Sequence, residues 1–288
     1  MSYPQLYRGS TGEEVKTLQL YLNRIGAMLI ADGDFGGGTV RGVMYAQDVA
    51  NMPVTGNLDA GLWSWLAAQP DPFPQLATNG IAFIALEETG GLDYYQTSAH
   101  WPCYPGGLSG VTIGVGFDLG ANSEQDFRDC WGPYLSPGHI RELSKDIGKR
   151  GTPERVAELR QMGVDIPFKV AWAVFIKKNI PKYYTDTKAI YPSLEQLPEL
   201  CRSVLVSIVY NRGASLREDD DKRKEMRMIR DILLNASASG FSKEEKKKIL
   251  SGVEDQIVAM KRLWAPSSGL CKRRQNEANL WRQGLNDW

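Results

Sequence analysis

The stretch that decides the fold begins with LEETGG at residues 86–91 and ends with GVTIGVGFDLG at residues 110–120. An apolar run at residues 81–86 leads into the first part, and the glycine pair that closes it is a typical helix stop. The sequence therefore predicts a short helix whose last turn carries two adjacent carboxyl groups, those of Glu87 and Glu88.

Helical spacing distinguishes the two glutamates. Ile81, Ile84, Ala85 and Glu88 share the i, i+3, i+4, i+7 face of that helix. A carboxyl group on an apolar face is partly desolvated, and such an environment suits a general acid. Because the run is apolar almost all round, the pattern favours Glu88 but leaves Glu87 as the alternative.

Residues 110–120 alternate β-branched residues with glycine, which is typical of a strand. If the strand continues, Thr112 and Asp118 lie on one glycine-lined face, which leaves room for a ligand. A carboxylate and a hydroxyl there, opposed by an acid at a helix end, suit glycoside hydrolysis. That reaction needs one carboxyl group to protonate the leaving oxygen and a second to steer water or stabilise the sugar cation. A buried hairpin whose acids only cap the surface is the alternative.

The sequence lacks the other common motifs of cofactor and metal chemistry. A dinucleotide fingerprint would require glycine at Leu119, and no Gly-Lys-Ser/Thr phosphate loop occurs. The four cysteines are scattered and the two histidines form no zinc motif, so we expect neither a metal nor a cofactor. The disulfide state is left open. A catalytic arrangement through His100 or Cys103 is an alternative without local support.

Composition and charge are those of a soluble globular protein. Apolar residues make up 42% of the 288 positions, and no apolar run approaches the length of a membrane span. The 34 lysines and arginines balance 34 acids, which argues against a dominant nucleic-acid footprint. The first residues, MSYPQLYR, lack the apolar core of a secretory signal. We therefore expect no nucleic-acid partner, no membrane span and a monomer.

Residues 1–69 are predicted to form a small domain of three short helices. In the first helix, Val15 and Leu18 recur at helical spacing after a capping residue at Ser10 or Thr11. The remaining predicted elements are a turn at 32–38, a helix that is capped by Thr39 and runs through Val49, a turn at 52–56 and a helix at 58–66.

Three motifs span this small domain: RGSTGEEVKTLQ at residues 8–19, DGDFGGGT at residues 32–39 and VTG at residues 54–56. Together they resemble the widespread three-helix peptidoglycan-binding domain. One position departs from that family, because the aromatic residue it usually places before a glutamine is Ala46 in this chain. The resemblance implies that the domain binds bacterial peptidoglycan.

A proline-rich segment, residues 70–77, is predicted to be an extended, semi-rigid linker to a second domain at residues 78–288. Beyond the glycine-rich stretch this domain is predicted to be mostly helical, with a buried central helix at residues 201–210. A capping box at Ser242 and Glu245 opens a predicted long helix. The predicted fold class is mainly α: a three-helix domain joined to an α+β domain with a small β-hairpin.

The second domain carries four further motifs: PGGLSGVTIGVGFDLG at residues 105–120, SIVYNRG at 207–213, EMR at 225–227 and RRQNEA at 273–278. Together they resemble the phage-type lysozyme superfamily, and more closely its pesticin-like muramidases. The resemblance implies a lysozyme-like fold. It also implies hydrolysis of the β-1,4 bond between N-acetylmuramic acid and N-acetylglucosamine in peptidoglycan.

The resemblance implies roles for three residues. Glu88 would protonate the glycosidic oxygen, Asp118 would activate or position water and stabilise the sugar cation, and Thr112 would orient that water. In the phage lysozymes proper the second acid precedes the threonine by six residues, where this chain has Gly106. The pesticin-like order, with the aspartate after the threonine, fits instead. Asp93 is the alternative second acid, and we expect inversion at the anomeric carbon.

Five further side chains are candidates for substrate binding. Tyr94, Trp101 and Tyr104 combine an aromatic ring with a polar tip, which suits stacking on sugar faces, although such rings often only pack a loop. Asn211 and Arg212 end the predicted central helix, where they either cap that helix or line a cleft.

The expected function is that of a modular cell-wall lytic enzyme. Without a signal, it would be made in the host cytoplasm and act in the periplasm or cell wall. Holin-type release would make it an endolysin, and dedicated export would make it a toxin. A lytic transglycosylase, which needs only the glutamate, and a non-catalytic wall-binding structural protein are the two alternatives.

Overall fold

The computed structural model describes residues 4–288 and shows a mainly helical chain with one two-stranded antiparallel sheet. The expectation about a signal segment rests partly on residues 1–3, which lie outside the described residues. The α-helices are α1 (Glu13–Arg24), α2 (Gly37–Val49), α3 (Ala60–Ala67), α4 (Thr78–Thr89), α5 (Leu92–Tyr94), α6 (Glu124–Trp131), α7 (Pro137–Ser144), α8 (Pro153–Gln161), α9 (Phe168–Val174), α10 (Ile180–Ile190), α11 (Glu199–Arg212), α12 (Lys224–Ser237), α13 (Lys243–Leu250), α14 (Gly252–Ala259) and α15 (Gly269–Asn286). The strands are β1 (Thr112–Ile113) and β2 (Phe117–Asp118).

Contacts between Cα atoms divide the chain into two compact units. The first unit combines the chain up to Pro72 with Ala85–Ile180, and the second combines Phe73–Ile84 with Pro181–Trp288. The division falls within α4, whose last turn belongs to the first unit. The domain boundaries drawn from the sequence stay a prediction.

Helices α1, α2 and α3 form the predicted three helices, but they begin differently. The N-cap of α1 is Gly12 without a side-chain cap, and the Ser10 hydroxyl instead accepts a hydrogen bond from the backbone N–H three residues earlier. Helix α2 begins at Gly37, so Thr39 lies inside it and donates its hydroxyl proton to Asp34 O at 3.1 Å. The predicted caps were therefore wrong, because Ser10 and Thr39 bond to the turns before the helices.

Two buried glutamine side chains hold the turns between these helices. Gln19 accepts a hydrogen bond from Gly33 N at 2.9 Å and donates to two oxygen atoms of residues 32–34. Gln47 accepts from two backbone N–H groups of residues 55–57 and donates to two oxygen atoms there. Because an amide donates and accepts at once, each glutamine replaces backbone bonds that a turn cannot make for itself.

The three-helix domain packs against residues 85–180 within the first unit. Gly26 has a φ of +97°, and a Cβ atom there would lie 2.7 Å from Trp172 Cδ2. The ring centroids of Tyr45 and Phe168 are 5.8 Å apart. An aromatic core is therefore shared between the three helices and the rest of this unit.

The second unit is built around α11, whose residues 203–210 are all buried, as the sequence predicted. Helix α15 packs closely against it, since a Cβ atom added to Gly284 would lie 2.8 Å from Cys201 Sγ. Small residues at such a contact let two helix backbones approach each other. Within residues 4–288, every helix is too short or too polar to cross a bilayer.

The region that follows the capping box at Ser242 and Glu245 differs from its prediction in one respect. Ser242 and Glu245 form the reciprocal cap in front of α13, as expected. The long helix predicted behind it was wrong, because the chain is divided into α13, α14 and a final 3₁₀ turn at Met260–Leu263. Periodicity predicts the apolar positions of such a segment, but it does not show where the helix axis changes direction.

Candidate functional site

Helix α4 carries the candidate acid in its last turn. As predicted, it stops before the glycine pair, since Gly90 and Gly91 have φ values of +78° and +100°, which side chains rarely adopt. Thr89 donates its hydroxyl proton to the carbonyl oxygen four residues earlier at 2.7 Å. Glu87 and Glu88 are both half-buried, so burial does not choose between them.

The glycine-rich segment is a tight hairpin and not one continuous strand. β1 and β2 pair antiparallel, with Thr112 opposite Asp118 and Ile113 opposite Phe117. The turn between them contains glycines at positions 114 and 116 with φ values of +58° and +72°. One strand therefore does not continue from Thr112 to Asp118, and the structure shows instead the small β-hairpin of the predicted fold class. The two polar residues nonetheless share a face, because they are cross-strand partners.

Thr112 is held by Cys103, on the side of β1 that faces away from β2. Its N–H donates to Cys103 O at 2.8 Å, and its carbonyl oxygen accepts from Cys103 N at 2.9 Å. Both backbone groups of Thr112 therefore point away from β2. Thr112 and Asp118 form a non-hydrogen-bonded pair, the type in which side chains of opposite strands lie closest.

The carboxylate of Asp118 is oriented by the backbone around it. Asp118 Oδ1 accepts from Gly110 N at 2.9 Å and from Gly120 N at 2.7 Å. Its carbonyl oxygen accepts from Asn122 Nδ2 at 2.6 Å. Both carboxylate bonds use Oδ1, which leaves Oδ2 for another partner. The side chain is thus held in one direction, as catalysis by positioning requires.

The glycines beside Asp118 are required by close packing. A Cβ atom on Gly110 would lie 2.3 Å from Gly120 N, and one on Gly120 would lie 2.6 Å from Lys149 O. Sequence reasoning interpreted the glycines of this face as room for a ligand, which was wrong at Gly110 and Gly120 because backbone atoms fill that space. It also missed Asn122 and the role of both glycines as donors. The run of glycines on both sides of the aspartate was the signal that pointed to such a close approach.

The three aromatic candidates differ in how far their rings are open to a ligand. Tyr94 is 58% exposed. Trp101 is half-buried against His100, with ring centroids 4.4 Å apart. The Tyr104 hydroxyl donates to Gly107 O at 2.9 Å. The ring of Tyr94 is therefore the most accessible, whereas the other two also pack the loop that carries them.

For the alternative catalytic arrangement, the structure shows a histidine paired with a carboxylate but no nucleophile bonded to that histidine. His100 Nδ1 lies 2.7 Å from Asp165 Oδ1, a pair that sequence reasoning missed because 65 residues separate the two. Among the described residues, no hydrogen bond joins His100 to Cys103 or to a serine hydroxyl. Burial raises the pKa of the Cys103 thiol, which disfavours the thiolate that a nucleophile needs.

Asn211 and Arg212 lie in the last turn of α11, in the second unit. The Arg212 guanidinium lies 5.3 Å from the ring centroid of Trp264 and donates to Lys222 O. Burial, and then neighbouring guanidinium groups with that of Arg223 foremost, lower the pKa of Arg212 to about 10. These contacts favour a packing role for Arg212, and a sugar contact there stays a prediction.

Two of the sequence motifs meet in a buried ionic network of the second unit. Glu277 Oε1 accepts from Ser207 Oγ at 2.6 Å and from Arg274 Nη2 at 2.8 Å. Arg273 lies 3.3 Å from the same oxygen and also donates to the serine hydroxyl at 3.1 Å. Buried charges persist only where they are paired and hydrogen-bonded. We therefore assign these parts of SIVYNRG and RRQNEA to the stability of the second unit.

Comparison with known families bears on the first three helices. Residues 11–66 match the family model described as "Putative peptidoglycan binding domain". These residues form a peptidoglycan-binding module. We call residues 11–66 the wall-binding module. Its partner is peptidoglycan, and this binding associates the chain with the cell wall. No curated protein matches the chain.

The described residues contain neither a cluster of metal ligands nor a disulfide. Among residues 4–288, no three His, Cys, Asp or Glu side chains lie together in a way that suits a metal ion. The four cysteines, all within that range, have free thiol groups.

Proposed function

We propose that the chain is a muramidase that hydrolyses the β-1,4 bond between N-acetylmuramic acid and N-acetylglucosamine. The observation that carries the proposal is the Thr112–Asp118 pair, in which the carboxylate is oriented by two backbone N–H groups. The wall-binding module supports the choice of polymer, since binding the wall raises the effective concentration of the enzyme at its substrate.

Glu88 is the proposed general acid. It lies at the end of α4 in a half-buried position, and its carboxylic acid would protonate the glycosidic oxygen as the bond breaks. Glu87 stands beside it with similar burial and remains the alternative acid.

Asp118 and Thr112 are proposed to manage the attacking water. The Asp118 carboxylate would accept a proton from water and stabilise positive charge on the sugar ring. The Thr112 hydroxyl, on the same face of the hairpin, would hold that water in line with the anomeric carbon. A water held between acid and base leads to inversion of configuration. Asp93, which is exposed, remains the alternative second acid.

Substrate contacts are proposed mainly for the segment between α4 and β1. Tyr94 is the foremost candidate for stacking on a sugar because its ring is the most exposed of the three aromatics. Trp101 and Tyr104 are second candidates. We propose action in the periplasm or cell wall, after release of an endolysin or export of a toxin.

Analysis of digested peptidoglycan tests the proposal against its alternatives. Purified sacculi would be incubated with the protein and the products separated and weighed by mass spectrometry. A muramidase releases fragments with reducing N-acetylmuramic acid ends. Anhydro-muramic ends would show a lytic transglycosylase instead. Binding to sacculi without any released fragment would show a non-catalytic wall protein.

A further inference from the structure

A cleft of about 460 Å³ lies where the wall-binding module meets the end of α4, and all of its lining belongs to the first unit. One side is formed by residues 27–30, by residues of the DGDFGGGT turn and by Arg41. The other side is formed by Leu86 and residues 90–94. The second side thus includes Leu86 and Gly90, which lie two residues before and two residues after Glu88.

The floor of the cleft is apolar and open. Met28, Leu29, Leu86 and Leu92 contribute the apolar lining. Gly38 adds no side chain, and a Cβ atom there would meet only Leu29 Cδ2, at 3.7 Å. A short chain with small apolar groups fits such a floor, while the exposed ring of Tyr94, which also lines the cleft, remains the proposed contact for a sugar.

The polar lining is mainly anionic. Asp32, Asp34 and Asp93 line the cleft together with one cation, Arg41. Burial is the largest single influence on Asp32 and raises its pKa, but hydrogen bonds from Asp34 N and Gln19 outweigh it, so that the pKa is lowered. Three carboxylates against one guanidinium favour a ligand that carries an ammonium group.

We propose that this cleft binds the peptide stem of peptidoglycan, so that the module and the end of α4 hold the same stretch of wall polymer. The stem carries alanyl methyl groups for the apolar floor and, on its diamino acid, a free amine for the carboxylates. It also carries carboxylates of its own, and Arg41 is the cation in the lining that can pair with one of them. The module then positions the glycan beside Glu88 as well as attaching the protein to the wall. This inference rests on the proposed muramidase function for its catalytic consequence, but not for peptide binding.

Binding is tested on the full chain by calorimetric titration with a muramyl tripeptide that has a free side-chain amine. The same tripeptide with that amine acetylated is the second probe. We expect the free amine to bind about threefold to fivefold more tightly, the gain typical of one exposed ion pair. Asp34→Asn, which removes one of the three carboxylates without changing side-chain size, should reduce that preference. Asp48→Asn, a matched exposed aspartate outside the cleft, should retain it.

A second variant fills the cleft. Gly38→Trp places a large side chain over Leu29, and with the helix content unchanged by circular dichroism it should lose peptide binding. Equal affinity of the wild type for both probes would overturn the proposal, and so would unchanged peptide affinity of folded Gly38→Trp. If that variant does not fold, Asp34→Asn decides on its own.

Cleavage rates separate this proposal from the muramidase proposal. Glycan chains with their stems should be cleaved faster than chains from which the stems have been removed, and Asp34→Asn should narrow that difference. Equal rates on both chains would overturn the positioning role while leaving the muramidase intact. If the peptide binds as expected but neither kind of glycan chain is cleaved, the result would support peptide binding in the cleft and contradict the muramidase proposal.

Discussion

Thr112 and Asp118 face each other across the hairpin because both backbone groups of Thr112 bond to Cys103 on the opposite side. A hydroxyl and a carboxylate are thereby brought together on one short pair of strands. Strands of two residues each have little stability of their own. The bonds from Cys103 to β1, and from Gly110 and Gly120 to the aspartate, supply the missing support.

The first prediction separates charge from structure at Asp118. Asp118→Asn keeps an oxygen able to accept from Gly110 N and Gly120 N, so the fold should survive while glycan hydrolysis falls by at least about 10²-fold. Asp118→Ala leaves both N–H groups without that partner and should also lose about 1–3 kcal/mol of stability. Thermal melts and product assays check the two effects. An active Asp118→Asn would remove this residue from the mechanism.

The second prediction concerns the acid in α4. Glu88→Gln removes the titrating proton with little change of shape, so hydrolysis should fall by about 10²- to 10⁴-fold. Glu87→Gln is the matched control, since the two side chains are adjacent and both are half-buried. Rates on purified peptidoglycan measure both. An inactive Glu87→Gln beside an active Glu88→Gln would reverse the assignment.

The third prediction is stereochemical. An inverting enzyme leaves room for water between its carboxyl groups, roughly 6.5–9.5 Å apart, whereas a retaining one holds them near 5–5.5 Å. With Thr112 aiming the water, the first product seen by NMR should have an α-anomeric reducing end. Thr112→Val should slow that reaction, and Thr112→Ser should restore most of it. An initial β-anomer would show retention and contradict the role given to Thr112.

The fourth prediction concerns the contact between the module and the rest of the first unit. Deletion of residues 1–70 removes Gly26 and Tyr45 from the rings of Trp172 and Phe168. The melting temperature should therefore fall by more than about 5 °C, since newly exposed apolar surface costs stability. Hydrolysis of soluble glycan fragments should fall with it. Unchanged melting and unchanged hydrolysis would mean that the module is an independent anchor.

The fifth prediction concerns the ionic network of the second unit. Glu277→Gln leaves Arg273 and Arg274 buried without their anion and should cost about 3–5 kcal/mol. Glu254→Gln is the control, because its partner Arg282, which lies on α15 like Glu277, is exposed and water replaces the lost pair. Urea unfolding measures both. Equal stability of the two variants would show that the network is not what holds α15 to α11.

The sequence by itself determined the features that depend on neighbours along the chain. Helical spacing predicted the three helices of the module and the buried core of α11, and the glycine pair predicted the end of α4. The motifs at residues 8–19 and 32–39 predicted the peptidoglycan-binding module. Such features follow from backbone preferences and periodicity, which act over a few residues.

Only the tertiary structure decided the features that depend on residues distant in the chain. The strand at Thr112 turns back after two residues, and it is supported by Cys103. Ser207 and Glu277, which sequence reasoning placed in separate motifs, share one buried hydrogen bond. Distance along the chain carries no information about such meetings, because packing of apolar surface and the need to pair buried polar groups decide which segments come together.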